Sequence, residues 1–185
     1  MLTSGMLRVM GIRIEFVAAP PDPLAFEALM REYFRIVTAM LTEAGGPEYE
    51  PDELAGNTVA HLGDLAPPEG RLLLATRDDG ALMGCGALRR IRPDAAEFKR
   101  MFVRPEAQGM GLGRRLFEMR IAEARRMGCT TLYADTVKGN TAMLSMYEKF
   151  GFSYIPRCPG NANVPELEPW LVYLEADISK GGPAV

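Results

Sequence analysis

The chain predicts a single α/β domain built on a mixed, mostly antiparallel twisted sheet of about six to seven strands flanked by about four helices. Three observations carry that expectation. Strand-like runs joined by short turns come first, a strand–helix–strand–helix stretch follows between Ala95 and Phe150, and strand-like runs return near the C-terminal end. Antiparallel neighbours need only tight turns, whereas a strand–helix–strand unit sets its two strands parallel. A parallel pair centred on Met101 and Thr131 is therefore expected inside an otherwise antiparallel sheet.

Taken in order, Ile12 to Val17 alternates apolar and polar residues and predicts a first strand. Asp22 is placed to cap a helix beginning at Pro23, whose fixed φ suits a first helical position. Phe26, Leu29, Met30, Tyr33, Phe34, Val37, Met40 and Leu41 recur at helical spacing until Gly45-Gly46-Pro47 stops the run. Glu48 to Gly70 is acidic, proline-marked and weakly periodic, which predicts one or two short helices with loops. Asp78-Asp79-Gly80 joins two strand-like runs, Arg71–Arg77 and Ala81–Arg90, as a hairpin turn, and Ala95–Val103 continues them. An amphipathic helix from Leu112 to Ala124 ends at Gly128; Thr131–Val137 is the next strand; Asn140 caps a helix running to Phe150, closed by Gly151. Phe152–Ile155 and Trp170–Ala176 close the sheet. The domain is expected to span residues 11–178, with 1–10 a flexible leader and 179–185 a loose tail.

Composition narrows the function. With 185 residues, 48% of them hydrophobic, the chain can bury one full core and still hold a ligand cleft. A net charge of -3 supplies no global basic field, so nucleic acid is not an expected partner. Three scattered cysteines, Cys85, Cys129 and Cys158, and a single histidine, His61, offer no metal-ligand spacing and suit a reducing compartment. The first ten residues lack a long apolar run, so a cytoplasmic protein with no membrane contact is expected.

The most informative stretch is Gln108-Gly109-Met110-Gly111-Leu112-Gly113-Arg114-Arg115, which opens a helix directly behind Met101-Phe102-Val103. Glycines let the backbone turn sharply and bring the N–H groups of about Met110 to Arg114 toward one point, where a helix N-terminus already favours an anion. Arg114 and Arg115 oppose the helix dipole, an arrangement that a bound polyphosphate would reverse.

Here the residues resemble the GNAT superfamily of acetyl-CoA-dependent N-acetyltransferases. Gln108 to Gly113 is similar to that family's pyrophosphate motif, Met101-Phe102-Val103-Arg104-Pro105 to the strand and exit turn before it, and Asn140 to Phe152 to its second motif, with Tyr147 seven residues after Asn140 and a closing Gly151-Phe152. Met143 stands where the family often has a small residue. The resemblance implies a parallel pair that splays apart, acetyl-CoA as cosubstrate with no metal, and direct attack of an amine on the thioester in a ternary complex. By position, the implied cofactor contacts are Val103 with the pantetheine arm, Gln108 to Arg115 with the pyrophosphate, and Asn140 with the arm. The Met101 N–H is the implied oxyanion donor, and Tyr147 the acid protonating the thiolate. A phenol suits the last role because its pKa near ~10 is not far from that of a thiol.

Some residues admit two readings. Tyr147 alone would pass for a core tyrosine, and Asn140 is explained by capping. Glu97 lies four residues before Met101 on an alternating strand, so both side chains are expected on one face, where Glu97 could take the ammonium proton through water or simply pair with Lys99 or Arg100. Acceptor contacts are expected from Tyr33 and Phe34 on the first long helix and from Arg157, Asn161 and Asn163 in the late loop. The acceptor itself, a small-molecule or peptide amine, stays open, and a homodimer is compatible with the sequence. Two other functions fit parts of the chain. A dinucleotide-binding oxidoreductase would use Gly109-x-Gly111 with Asp135 on the ribose, but Arg114 occupies its third glycine position. A non-catalytic CoA-binding regulator would have no use for Tyr147.

Overall fold

The computed structural model describes residues 7–9, 11–158 and 160–179. Eight strands form one sheet: β1 (Leu7–Val9), β2 (Ile12–Val17), β3 (Gly70–Arg77), β4 (Leu82–Arg92), β5 (Ala95–Val103), β6 (Thr131–Val137), β7 (Ser153–Ile155) and β8 (Leu171–Asp177). Their spatial order is β1-β2-β3-β4-β5-β6-β8-β7, and among the described residues the only parallel neighbours are β5 and β6. The strand beyond the expected six to seven is β1, which lies within the stretch expected as a leader. It pairs with β2 across a turn at Gly11, where φ is 78°. Three residues are too few to display a period, which is why the sequence hides it. Residues 1–6 and 10 of the leader, and 180–185 of the tail, lie outside the described residues.

Helix α1 (Pro23–Glu43) starts where expected: the Asp22 carboxylate accepts from the N–H groups of Leu24 and Ala25 at 3.0 Å each. The acidic stretch after it folds as α2 (Pro51–Ala60) and a tight turn at Leu62–Leu65. Helices α3 (Leu112–Arg126) and α4 (Thr141–Lys149) follow the two parallel strands. Strand alternation sorts the core into two layers. Leu72, Leu74, Ala87 and Phe102 pack on Phe26, Leu29 and Met30 of α1, while Leu88, Phe98, Leu132 and Ala134 pack on Phe117 of α3 and Tyr147 of α4.

Two irregularities set up the site. The β5–β6 ladder pairs only Ala95–Glu97 with Thr131–Tyr133, so Phe98–Val103 and Ala134–Val137 part company. On its other side β5 carries a bulge: Ala87 pairs with Lys99 and Cys85 with Phe102, leaving Arg100 and Met101 against Gly86 alone. Arg100 has φ 53°, the one positive value at a non-glycine among the described residues.

The bulge overturns one expectation. Glu97 and Met101 do not share a face, because the extra residue inverts the alternation between them. Glu97 pairs with Arg89, next but one to Ala87 on the α1 side, whereas Met101 packs with Leu112 and Leu116 of α3.

Candidate active site

The glycine turn begins where β5 ends. Gly109 and Gly111 both have φ 77°, and a Cβ on either would meet nothing within 4 Å, so the turn is left-handed twice and its outer side is open. Gly111 is the N-cap of α3 and offers no side chain to the first turn. The first intrahelical bond to it runs from the Arg115 N–H to the Gly111 carbonyl at 3.1 Å. The amides of Leu112, Gly113 and Arg114 therefore precede any intrahelical acceptor and stay available to an anion. The two arginines are less diagnostic than expected: Arg114 and Arg115 both bond Glu118, at 2.7 and 2.9 Å, so the first-turn cations already have a local counter-charge.

Beside the turn, β5 directs backbone groups toward the splay. The Arg104 N–H bonds the Met83 carbonyl at 2.9 Å, so by the alternation of an antiparallel ladder Val103, one residue earlier, turns its N–H and C=O away from β4 toward the splay. The Val103 carbonyl accepts from Gln108 Nε2 at 3.0 Å, which ties the turn to the strand.

The splay opens into a cavity of about 470 Å³ between the two helical layers. Met101, Asn140, Met143 and Tyr147 line one end, and Tyr33, Phe34, Tyr49 and Thr58 the other. Asn140 accepts from the Met143 N–H at 3.3 Å as N-cap and donates Nδ2 to Thr136 Oγ1 at 3.0 Å, so capping fixes a side chain that also faces the cavity. Tyr147 is 3% exposed, its ring 5.1 Å from that of Phe152 and 5.4 Å from that of Phe117. Burial pushes its phenol pKa well above the ordinary value, against the lowering effect of Arg120, so the group stays protonated. Core packing and a place on the cavity wall hold at once.

The remaining predicted residues converge on a buried polar network. Glu97, fully buried, accepts from Lys99 Nζ at 2.9 Å, Asn161 Nδ2 at 2.7 Å and Arg89 at 3.2 Å. Lys99 also reaches Asp135 at 3.1 Å, and Asp135 accepts from Asn161 and Asn163 at 2.9 Å each. Burial raises the Glu97 pKa, with Lys99 pulling it back only in part. Burial would raise Asp135 too, but Lys99 and the asparagines outweigh it and hold that carboxyl low. For Lys99, burial lowers the pKa while Asp135 and Glu97 more than offset it, leaving it raised. Glu97 thus pairs with Lys99 as one reading had it, although on a buried face; Arg100 turns elsewhere. Of the loop residues, Asn163 lines the cavity and Asn161 sits behind it. Arg157 instead holds the loop's own carbonyls at Asn163 and Val164 and does not line the cavity. His61, whose Nδ1 lies 2.9 Å from the Asn57 carbonyl, caps α2 at the rim. The three cysteines are buried; burial takes the Cys85 thiol up to about 12 and raises that of Cys158, which leaves neither reactive.

Sequence reasoning named Lys99 and Arg100 only as possible partners of Glu97 and passed over Arg120. The only trace of the bulge was Lys99-Arg100, two consecutive charges where alternation asks for one. Arg120 is wholly buried on α3 without a carboxylate: it donates to the Leu116 and Ala87 carbonyls at 3.2 and 3.4 Å, lies 3.0 Å from the Met101 sulfur, and stacks 4.0 Å from the Phe98 ring centroid. Burial lowers its pKa to about 10, which leaves it charged near neutrality. Gly86 makes room for it, since a Cβ there would lie 2.8 Å from Arg120 Nε.

Among the described residues there is no cluster of three or more metal-ligating side chains, and no helix is long and apolar enough to cross a membrane. Residues 26–152 match the acetyltransferase (GNAT) family. An uncharacterized N-acetyltransferase of Schizosaccharomyces pombe is 30% identical over 176 residues, 95% of this chain and 100% of that one. Among solved structures, a Klebsiella pneumoniae protein designated an acyl-CoA N-acyltransferase is 26% identical with a TM-score of 0.62, covering 89% of this chain and 96% of that one. A Salmonella typhimurium protein designated an acetyltransferase, solved with its cofactor acetyl-CoA, shares the fold at 22% identity, with a TM-score of 0.60 over 95% of this chain and 99% of that one. The parallel pair is limited to three registers and set in an antiparallel sheet, which departs from the all-parallel sheet of a dinucleotide-binding domain. The family match spans well over half of the residues, and the chain belongs to the GNAT family of acetyltransferases.

Proposed function

We propose that the protein transfers the acetyl group of acetyl-CoA to the amine of an acceptor by direct attack within a ternary complex. One observation carries the reading: the open, doubly left-handed glycine turn stands at the mouth of the β5–β6 splay, so anion donors and unpaired strand backbone face the same gap. The residues present fit the cosubstrate. The amides of Leu112 to Arg114 suit the pyrophosphate, and the outward backbone of Val103 suits the pantetheine amides, with Asn140 across the gap.

The thioester supplies an activated acetyl carbon. As the acceptor nitrogen bonds that carbon, the carbon–sulfur bond breaks, the nitrogen gives up a proton and the sulfur gains one. Met101, without its own register partner on β4, directs its N–H at the carbonyl oxygen, a role worth about 2.7–4 kcal/mol for one such donor. Tyr147, held neutral by burial, gives its proton to the sulfur. The Glu97–Asp135 pair receives the amine's proton. Asp135 is its member on the cavity wall, and Glu97, with the higher pKa of the two, is its more basic one.

Calorimetry with acetyl-CoA and with NAD, followed by release of free CoA thiol in the presence of amines, tests the reading. Heat with acetyl-CoA alone, and thiol release that depends on an added amine, is the expected result. No heat with acetyl-CoA defeats it, and binding without any transfer makes the protein a CoA-responsive binder instead.

A further inference from the structure

The bulge also places Arg100. By holding Arg100 at φ 53° it keeps that guanidinium on the α1 side, in the cavity, one residue from the proposed oxyanion donor. The guanidinium lies 5.1 Å from the Phe34 ring centroid and donates Nε to Thr58 Oγ1 at 3.3 Å. Its two terminal nitrogens have no bonding partner and no carboxylate at ion-pair distance among the described residues. The other cations lining the cavity are committed: Arg89 to Glu97, and Lys99 to both Glu97 and Asp135. Arg120, also without a carboxylate, is sealed in the core by carbonyls, sulfur and rings. Arg100 is thus the uncommitted positive charge, among the described residues, of a cavity whose walls at this end combine Tyr33, Tyr49, Leu54 and Leu65 with the polar Asn57, His61 and Asp64, the last not paired with Arg100. A guanidinium presents a planar fork matched to one carboxylate, and the aromatic and aliphatic side of the cavity next to it, Tyr33, Phe34, Leu54 and Leu65, suits a monoanion with a hydrophobic body.

Building on the acetyl-transfer reading, we propose that the acceptor is an apolar or aromatic amino acid. Its carboxylate is held by Arg100, its side chain lies against Tyr33 and Phe34, and its α-amine faces the gap at Met101. Thr58 and Phe34 position the guanidinium, through its Nε and its face, and leave the two terminal nitrogens for the acceptor.

The test is a matched panel of L-phenylalanine, L-leucine and L-methionine, with the amide and the decarboxylated amine of each, assayed by CoA thiol release and by binding to the enzyme–CoA complex. The parent amino acids should exceed their carboxylate-free counterparts by at least about tenfold in kcat/KM, because a site built for a charged group leaves that site unpaired when the group is missing. Arg100→Ala should bring the ratio to about one and Arg100→Lys should restore part of it, with acetyl-CoA affinity unchanged in both. Equal rates for acids and amines, a preference for the amines, a ratio surviving in Arg100→Ala, or no binding of any of these amino acids overturns the assignment. Acetyl-CoA affinity is measured on the same samples, so its loss in the wild-type protein indicts the acetyl-transfer reading instead.

Discussion

The two sides of β5 are built on different principles. Toward α3 and α4, the groups proposed to face the cosubstrate are main-chain amides fixed by local conformation: two left-handed glycines, a helix start, and a strand turned away from its neighbour. Toward α1 and α2, the groups are charged side chains held by partners distant in sequence, Glu97 by Asn161 and Arg100 by Thr58. Backbone donors place a common ligand without regard to side-chain identity, whereas a side-chain network can be varied to select among acceptors. The difference predicts that damage on the α1 side falls on stability and acceptor choice, and damage on the α3 side on cosubstrate binding and chemistry.

The largest effect is expected at the centre of the network. Lys99→Met leaves two carboxylates facing each other without their shared cation and should lower unfolding free energy by about 3–5 kcal/mol near neutral pH. The sign with pH follows from linkage. Asp135, held low in the folded state, contributes stability above its unfolded pKa that is lost as pH falls through the folded one; Glu97, raised, has the opposite sign and costs stability that is regained as pH falls. Removing Lys99 raises both, so the deficit should shrink on acidification, and denaturant titrations at several pH values would show it. A deficit that grows in acid would break the account of the network.

On the other side, Tyr147→Phe should lower kcat about 10²–10³-fold while acetyl-CoA affinity, read by calorimetry, stays within about twofold. Unchanged turnover would leave Tyr147 as a packing residue. Gly111→Val forces a branched side chain into a left-handed position, at about 1–2 kcal/mol, and fills the open side of the turn, so acetyl-CoA should bind at least about tenfold more weakly. The smallest effect is the cap: Asp22→Ala should cost about 1 kcal/mol of stability with no change in either substrate's KM, because it sits at the far end of α1.

The same division governs what the sequence discloses. The limits of β5 and β6 and the starts of α1, α3 and α4 could be read directly, because each is written by nearby residues: Asp22-Pro23, the glycines before Leu112, and Asn140. The glycine turn could be located for that reason, whereas Tyr147 stood out only through the family resemblance. The bulge could not, since simple alternation carried through Lys99-Arg100 puts Glu97 and Met101 together, and only the pairing with β4 reveals the inserted residue. Nor could the link from Glu97 to Asn161 and Asp135, which joins three elements. Arg157 was singled out as a residue of the late loop, but its hydrogen bonds serve that loop itself.

The contact between Gly86 and Arg120 carries an evolutionary corollary. With a methyl at residue 86 crowding the guanidinium at 2.8 Å, residue 86 is not free to gain a side chain while Arg120 stays in place. Across relatives the two sites should change in concert: a side chain at 86 accompanied by a shorter, uncharged residue at 120, and an arginine at 120 accompanied by glycine at 86.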